Sequence, residues 1–116
     1  MIKLKRIYDT PERTDGKRVL IDRLWPRGVR KEEARIDAWL REIAPSDELR
    51  RWYGHKIERW EEFRKRYRDE LSRVPLKELV EELRKEGKRS TVTLLFAATD
   101  TQHSNAAILK ELLEKR

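Results

Sequence analysis

Alternating apolar and polar residues at the start of the chain predict a β-strand. Ile2, Leu4 and Ile7 are separated by basic residues, which gives this segment one solvated face and suits the edge of a sheet. Residues 19–21 and 91–98 are instead almost continuously apolar and rich in β-branched side chains. Such runs are typical of strands buried on both faces, so we expect the segment at 91–98 to be a central strand.

Apolar residues at three- and four-residue steps predict helices between and after these strands. The clearest helix covers residues 58–73, where two Glu/Lys or Glu/Arg pairs also stand four residues apart in the favourable order. The other predicted helices follow the Pro45-Ser46-Asp47 cap, run from Pro75 to a left-handed cap at Gly87, and close the chain after Ser104 or Asn105.

Residues 31–44 carry an ambiguous pattern. Ile36, Trp39, Leu40 and Ile43 keep helical spacing, but no clear capping residue precedes them. A helix is favoured here, and a strand stays open as the alternative.

Strands separated by long helical stretches predict an α/β fold with a small, mostly parallel β-sheet flanked by helices. Internal repeats, low-complexity tracts and linkers are missing from the sequence. We therefore expect residues 1–116 to form a single compact domain, in a strand order that the pattern does not fix.

Composition narrows the classes of function. The chain has no cysteine, which excludes a disulfide scaffold, a cysteine metal site and a thiol nucleophile. Its four glycines form neither of the common phosphate-binding motifs, and no cofactor is indicated. Without an apolar run of membrane-spanning length or a signal-like segment, we expect a cytoplasmic protein with no membrane partner.

Charge adds two interpretations. Charged residues make up 44% of the chain and its net charge is +7. An excess of interspersed charges is typical of proteins from thermophiles, where ion-pair networks are favoured. The positive surplus also suits a polyanion such as nucleic acid, although it is spread evenly along the sequence. Arg59, Arg66 and Arg73 recur every seven residues and could contact phosphates, but interleaved carboxylates favour a solvated, ion-paired face.

Polar residues follow two of the predicted strands, where ligands bind in open parallel sheets. Residues 22–27 follow the first of these strands and residues 100–105 follow the second. If the two strands are neighbours, the side chains share one crevice. The candidate ligand-binding residues are Asp22, Arg23, Trp25, Arg27, Tyr67 and Asn105.

Each candidate has a functional and a structural interpretation. Arg23 and Arg27 can clamp a phosphate or carboxylate, or can form an ion pair with Asp22 that fixes the turn. Trp25 can stack on a ligand or fill the core. Tyr67 lies on the apolar face of the long helix, from which its hydroxyl could still reach a crevice.

Catalysis would fall to Asp100, His103 and His55. His103 or Asp100 can act as a general base and His55 as an acid, whereas His103 can equally well serve as a hydrogen-bonding loop residue. Two imidazoles and two carboxylates could in principle bind a metal, but no metal-binding spacing occurs, and we expect no metal site.

Several strings along the whole chain together resemble a known family. They are residues 19–28 with Asp-Arg-Leu-Trp-Pro-Arg-Gly at 22–28, residues 44–52, Trp60-Glu61-Glu62-Phe63, Tyr67, Glu70-Leu71, Thr93-Leu94-Leu95, Asp100, His103-Ser104-Asn105-Ala106 and Ile108-Leu109. The set resembles the DUF488 family, a domain of unknown function. Ser104 departs from the asparagine usual after the histidine.

The resemblance implies a compact single-domain α/β protein of bacteria or archaea and no established activity. It also brings a set of charged, polar and aromatic motif positions forward together, namely Asp22, Arg23, Trp25, Arg27, Trp52, His55, Trp60, Tyr67, Asp100, His103 and Asn105. The favoured hypothesis is a crevice for an anionic, phosphate-bearing ligand, with or without catalysis. A nucleic-acid-associated protein and a structural or partner-binding protein without activity are the alternatives.

Overall fold

Four parallel strands form one sheet in the computed structural model, which describes residues 1–115. They are β1 (Ile2–Arg6), β2 (Lys17–Leu20), β3 (Ala38–Trp39) and β4 (Val92–Phe96), in the spatial order β1, β4, β2, β3. The helices are α1 (Lys31–Ala34), α2 (Asp47–Tyr53), α3 (Trp60–Leu71), α4 (Leu76–Arg89) and α5 (Asn105–Glu114). The predicted α/β class is confirmed.

β4 is the centre of the sheet, as its apolar run predicts. All five of its residues are buried, and it pairs in parallel with β1 on one side and β2 on the other. Ile2 and Lys17 both stand opposite Val92, so the carboxyl ends of the three strands lie at the same edge. The edge position predicted for β1 is also correct.

Side chains of the sheet feed two separate cores because successive residues of a strand point to opposite faces. Val19, Ile21 and Leu94 belong to the larger core, under helices α2 to α5. Leu20 and Leu95 belong to a smaller core on the other face, which the half-buried Trp25 and Trp39 extend. The sheet is thus covered on both faces, which explains its continuous apolar runs.

The prediction of a helix at residues 31–44 is wrong for most of that segment. Helix α1 ends at Ala34, since Arg35 adopts a left-handed conformation with φ of 46°. The two residues of β3 then pair with Val19 and Leu20, so the alternative of a strand holds there. Hydrogen bonds to β2 replace the local bonds that a helix would have made.

The cap predicted at Gly87 is also wrong. α4 continues to Arg89, and Gly87 is a buried residue inside the helix. A Cβ atom at this position would clash with the side chain of Ile2. The glycine therefore permits a close approach of α4 to β1 rather than ending the helix. The predicted caps at Ser46 and Ser104 are confirmed, since each hydroxyl accepts a backbone N–H of the helix that follows.

Within residues 1–115, none of the helices combines the length and the apolar character needed to cross a bilayer.

Candidate functional site

A crevice of about 390 Å³ lies beyond the carboxyl ends of β2 and β4. These strands are neighbours, so the segments that follow them meet, as ligand sites in parallel sheets require. Seven of the nine candidate site residues line the crevice: Asp22, Arg23, Trp25, Arg27, His55, His103 and Asn105. The other two, Tyr67 and Asp100, do not line it.

Asp22 is held in place by the end of β4. Its Oδ2 atom accepts the backbone N–H of Ala97 at 2.9 Å, while its backbone carbonyl accepts the indole N–H of Trp39 at 2.7 Å. Burial raises the pKa of the Asp22 carboxyl, although hydrogen bonds from Ala97 and the Asn105 amide act in the opposite direction. These bonds fix the carboxylate, which forms no ion pair with any residue in the described range 1–115.

Three arginines line the crevice with this single aspartate. Arg23 places Nε 3.4 Å from an Asp47 carboxylate oxygen, and Arg50 lies 3.3 Å from the same oxygen. Arg27 has an exposed side chain, and its backbone carbonyl accepts the hydroxyl of Tyr8 at 3.0 Å. The ion pair between Asp22 and an arginine that the structural interpretation requires is thus replaced by contacts with Asp47.

Trp25 lies between the smaller core and the crevice. Its indole N–H donates to the carbonyl of Val29 at 2.7 Å, and its ring meets Trp39 edge to face at a centroid distance of 5.4 Å. These contacts join it to the smaller core, while the same residue lines the crevice. The anchored ring gives the crevice a rigid aromatic wall.

His103 is oriented by Asp100. Its Nδ1 lies 2.9 Å from Oδ2 of Asp100, whose other carboxylate oxygen accepts the His103 backbone N–H at 3.1 Å. The hydrogen bond from the His103 side chain is the main reason that the pKa of Asp100 is lowered. Asp100 itself is exposed and does not line the crevice, whereas His103 does. Asp100 therefore contacts His103 from the side away from the crevice.

The two remaining candidates differ in position. Tyr67 is fully buried in the larger core, where its hydroxyl donates to the Ile43 carbonyl at 2.6 Å and burial strongly raises its pKa. Its expected reach into the crevice is therefore not seen. His55 is an exposed crevice residue with φ of 56°, and its ring lies 5.8 Å from that of Tyr53.

Helix α2 supplies crevice residues that the sequence did not indicate. Tyr53 stacks on Phe63 at a centroid distance of 4.2 Å, and its hydroxyl donates to the His103 carbonyl at 3.0 Å. Arg50 stands one helical turn before Tyr53, so both reach the same side. The sequence predicts the helix itself, but only the path of the chain brings α2 to the ends of the strands.

The amino end of α5 also meets the crevice. Asn105 begins the helix, and its side-chain amide lies 3.5 Å from the Ile21 carbonyl at the end of β2. Ser104 caps the helix by accepting the N–H of Ala107. The positive end of the helix dipole thus adds to the three guanidiniums.

The arginines of α3 and of the turn that follows it are largely engaged with acidic residues. Arg66 pairs with Glu62 at 2.9 Å, Arg73 pairs with Asp69, and Arg64 pairs with Glu111 across to α5. This arrangement agrees with the ion-paired interpretation for Arg66 and Arg73, whereas Arg59 donates to the Trp52 carbonyl instead. In residues 1–115, no cluster of three or more histidine, aspartate or glutamate side chains is suited to hold a metal ion.

The whole chain, residues 1–116, matches the model of a family described as DUF488-N3i, the inactive DUF488-N3 subclade. The chain belongs to this family. The resemblance drawn from its motifs is therefore confirmed. Within this DUF488-N3i chain, the serine that departs from the usual asparagine is the N-cap of α5, a position that a hydroxyl fills well.

Relatives of this DUF488-N3i chain extend over its full length. An uncharacterized protein of Mycobacterium tuberculosis, strain H37Rv, is 43% identical over 115 residues, which cover 99% of this chain and 95% of the relative. The uncharacterized protein YeaO of Escherichia coli, strain K12, is 38% identical over 112 residues, which cover 97% of this chain and 96% of the relative. No solved structure matches the chain.

Proposed function

We propose that the crevice at the carboxyl ends of β2 and β4 binds a small anionic, phosphate-bearing ligand. The observation that carries the proposal is the lining of one cavity by three arginines, Arg23, Arg27 and Arg50, and one aspartate, Asp22. Arg23 and Arg50 share the single carboxylate of Asp47, so the arginines still outnumber the carboxylates near them. Guanidiniums bind phosphate and carboxylate through paired, charge-assisted hydrogen bonds. The amino end of α5 contributes a partial positive charge to the same space.

Binding without turnover is favoured over catalysis. The family is described as an inactive subclade. His103 is tied through Nδ1 to Asp100, and Tyr53 binds its backbone carbonyl, so this side chain is well placed to orient a ligand. We assign ligand contact to His103 and His55, and a supporting role behind His103 to Asp100.

The alternative of a nucleic-acid partner receives less support from the same charges. Arg64 and Arg66 of α3, and Arg73 just after it, are engaged by carboxylates rather than forming a free cationic stripe; the partners are Glu111, Glu62 and Asp69. The alternative of a closed structural network needs Asp22, Arg23 and His103 to join one another, whereas each binds a different partner.

An arginine exchange tests the proposal. Inorganic phosphate and pyrophosphate are titrated by calorimetry into the native protein, Arg27→Ala and the control Arg30→Ala. Arg30 carries the same charge close by in sequence, but its side chain is 82% exposed and lies outside the crevice lining. Loss of a charge-assisted hydrogen bond of about 1.5–3 kcal/mol predicts at least about tenfold weaker binding for Arg27→Ala alone. Equal weakening in both variants, or no binding to the native protein, would contradict the proposal.

A further inference from the structure

Asp22 is out of place in a site for a simple anion. Its carboxylate lines the same crevice as the three arginines, and it would repel a phosphate that approached it. Within residues 1–115, none of the ion pairs includes Asp22, because Arg23 and Arg50 contact Asp47 instead. An ionised carboxylate that lies in a half-buried position without a cation needs hydrogen-bond donors.

The hydrogen-bond donors that the protein supplies do not fill all the acceptor positions of the Asp22 carboxylate. The Ala97 N–H donates to Oδ2 at 2.9 Å, and the Asn105 amide lies near the carboxyl and favours its ionised form, which lowers the pKa. A carboxylate has about four acceptor positions on its two oxygens. The remaining positions can accept N–H or O–H groups from a ligand, and burial, which raises the pKa of this carboxyl, increases the gain from such bonds.

The crevice walls indicate what carries those donors. Trp25, Tyr53 and Phe63 present aromatic surface to the same cavity, and Pro26, Pro45 and Ala98 add apolar surface. Trp25 and Tyr53 are fixed by their hydrogen bonds to Val29 and His103. A volume of about 390 Å³ lies at the lower end of the range of small-molecule sites, about 300–1,000 Å³. Such walls fit a planar ring better than an open sugar chain.

Resting on the proposed function, we infer that the ligand is a nucleoside 5′-monophosphate, with its phosphate on the arginines and an N–H edge of its base on Asp22. Guanine suits this edge because it presents an amino donor beside its ring N–H. The same chemistry occurs at the 5′ end of a nucleic-acid strand, so the two sources need separate arms in the experiment.

A set of ligands that share the phosphate tests the inference. GMP, ribose 5-phosphate and inorganic phosphate are titrated by calorimetry into the native protein and the Asp22→Asn variant. We expect GMP to bind the native protein at least about tenfold more tightly than the two ligands without a base. Asp22→Asn should weaken GMP about tenfold yet leave phosphate unchanged or tighter, since a repulsive charge is removed.

Asp69→Asn is the matched control, because it removes the same charge from an exposed ion pair with Arg73 outside the crevice. It should leave all three affinities unchanged. The asparagine at position 22 retains an acceptor for the Ala97 N–H, and a melting curve checks that the variant is folded. A 5′-phosphorylated tetranucleotide serves as the further arm, and binding as tight as that of GMP would assign the site to a strand end.

The outcomes separate the two proposals. Equal affinity for GMP and inorganic phosphate in the native protein would overturn the nucleotide inference and retain the anion site. A parallel change of both ligands in Asp22→Asn would overturn it as well. If no phosphate compound binds the native protein at millimolar concentration, both proposals fall.

Discussion

At the scale of single residues, Gly16 and Gly28 show why position decides the importance of a glycine. Both adopt positive φ, of 64° and 76°. A Cβ atom on Gly16 would overlap the backbone carbonyl of Thr91, whereas the space around Gly28 is open. Gly16 precedes β2, and the Thr91 carbonyl accepts the N–H of Lys17, so the overlap would disturb the start of a central strand.

Alanine substitutions at these glycines should therefore differ in effect. Gly16→Ala combines left-handed strain with a backbone clash and is expected to lower the free energy of unfolding by about 3 kcal/mol. Gly28→Ala has only the strain and should lose about 1 kcal/mol. Urea denaturation of both variants measures the difference, and equal losses would show that the close approach to Thr91 has no energetic weight.

At the scale of elements, a buried ion pair joins the turn Arg13–Asp15 to β2 and α1. Arg18 donates to Asp15 at 2.5 Å and to the Ala34 carbonyl at 2.8 Å, and only 3% of Asp15 and 5% of Arg18 is exposed. Burial alone would raise the pKa of Asp15, but hydrogen bonds from Glu12, Lys5 and Arg18 lower it overall. The ionised carboxylate therefore stabilises the folded state.

The pH dependence of stability should reveal this pair. Because the folded pKa of Asp15 is lowered, its contribution is present above the unfolded value of about 4 and is lost as pH falls through the folded value. Asp15→Asn should cost about 3 kcal/mol at pH 7, since Arg18 loses its charged partner. Denaturation at several pH values should show the gap to the native protein narrowing below about pH 4. The control Asp69→Asn, on an exposed pair, should change the free energy of unfolding by less than about 0.5 kcal/mol. A difference in stability between Asp15→Asn and the native protein that stays constant with pH would contradict the assignment.

Elements were predictable from sequence where local and tertiary preferences agree. β4 has a continuous apolar run and α3 has strong helical periodicity, and the structure contains both elements. At residues 31–44 the spacing favours a helix, but part of the segment pairs with β2 as a strand instead. Asp37 stabilises this pairing because its carboxylate accepts the Arg18 backbone N–H at 2.8 Å. Such a bond joins distant parts of the chain and leaves no periodic signal.

The residues of the crevice likewise fall into those that the sequence predicts and those that it does not. Residues directly after β2 and β4 were predictable, because the carboxyl ends of parallel strands converge. Arg50 and Tyr53 were not, since they reach the crevice from a helix whose placement depends on packing against Phe63. Tyr67 is a candidate on sequence grounds because its hydroxyl could reach a crevice. Its position on α3 instead directs the hydroxyl to the Ile43 carbonyl, to which it donates.

At the scale of the whole molecule, the net charge of +7 is a weaker guide to function than the local placement of charges. Arg64 and Arg66 of α3 each have an acidic partner, whereas in the crevice Arg23 and Arg50 share the one carboxylate of Asp47 and Arg27 is exposed. A small anion should therefore bind with only a modest dependence on salt, and a polyanion should gain little from the outer surface.

Salt titration tests this distribution. Between 50 and 200 mM NaCl, the affinity for inorganic phosphate should fall by about threefold, because few charges take part. An oligonucleotide that contacted six or more phosphates would lose about a thousandfold over the same interval. Tight oligonucleotide binding with that steep loss, unaffected by Arg27→Ala, would support the nucleic-acid alternative instead.

An NMR titration shows whether a small anion occupies the crevice at the strand ends. Inorganic phosphate is added to the ¹⁵N-labelled protein at 150 mM NaCl, and changes in amide and arginine Nε resonances are followed. We expect saturable shifts confined to residues 22–27, 97–105 and the Arg50 region. Shifts that instead follow the arginines of α3, or that never saturate, would contradict this expectation.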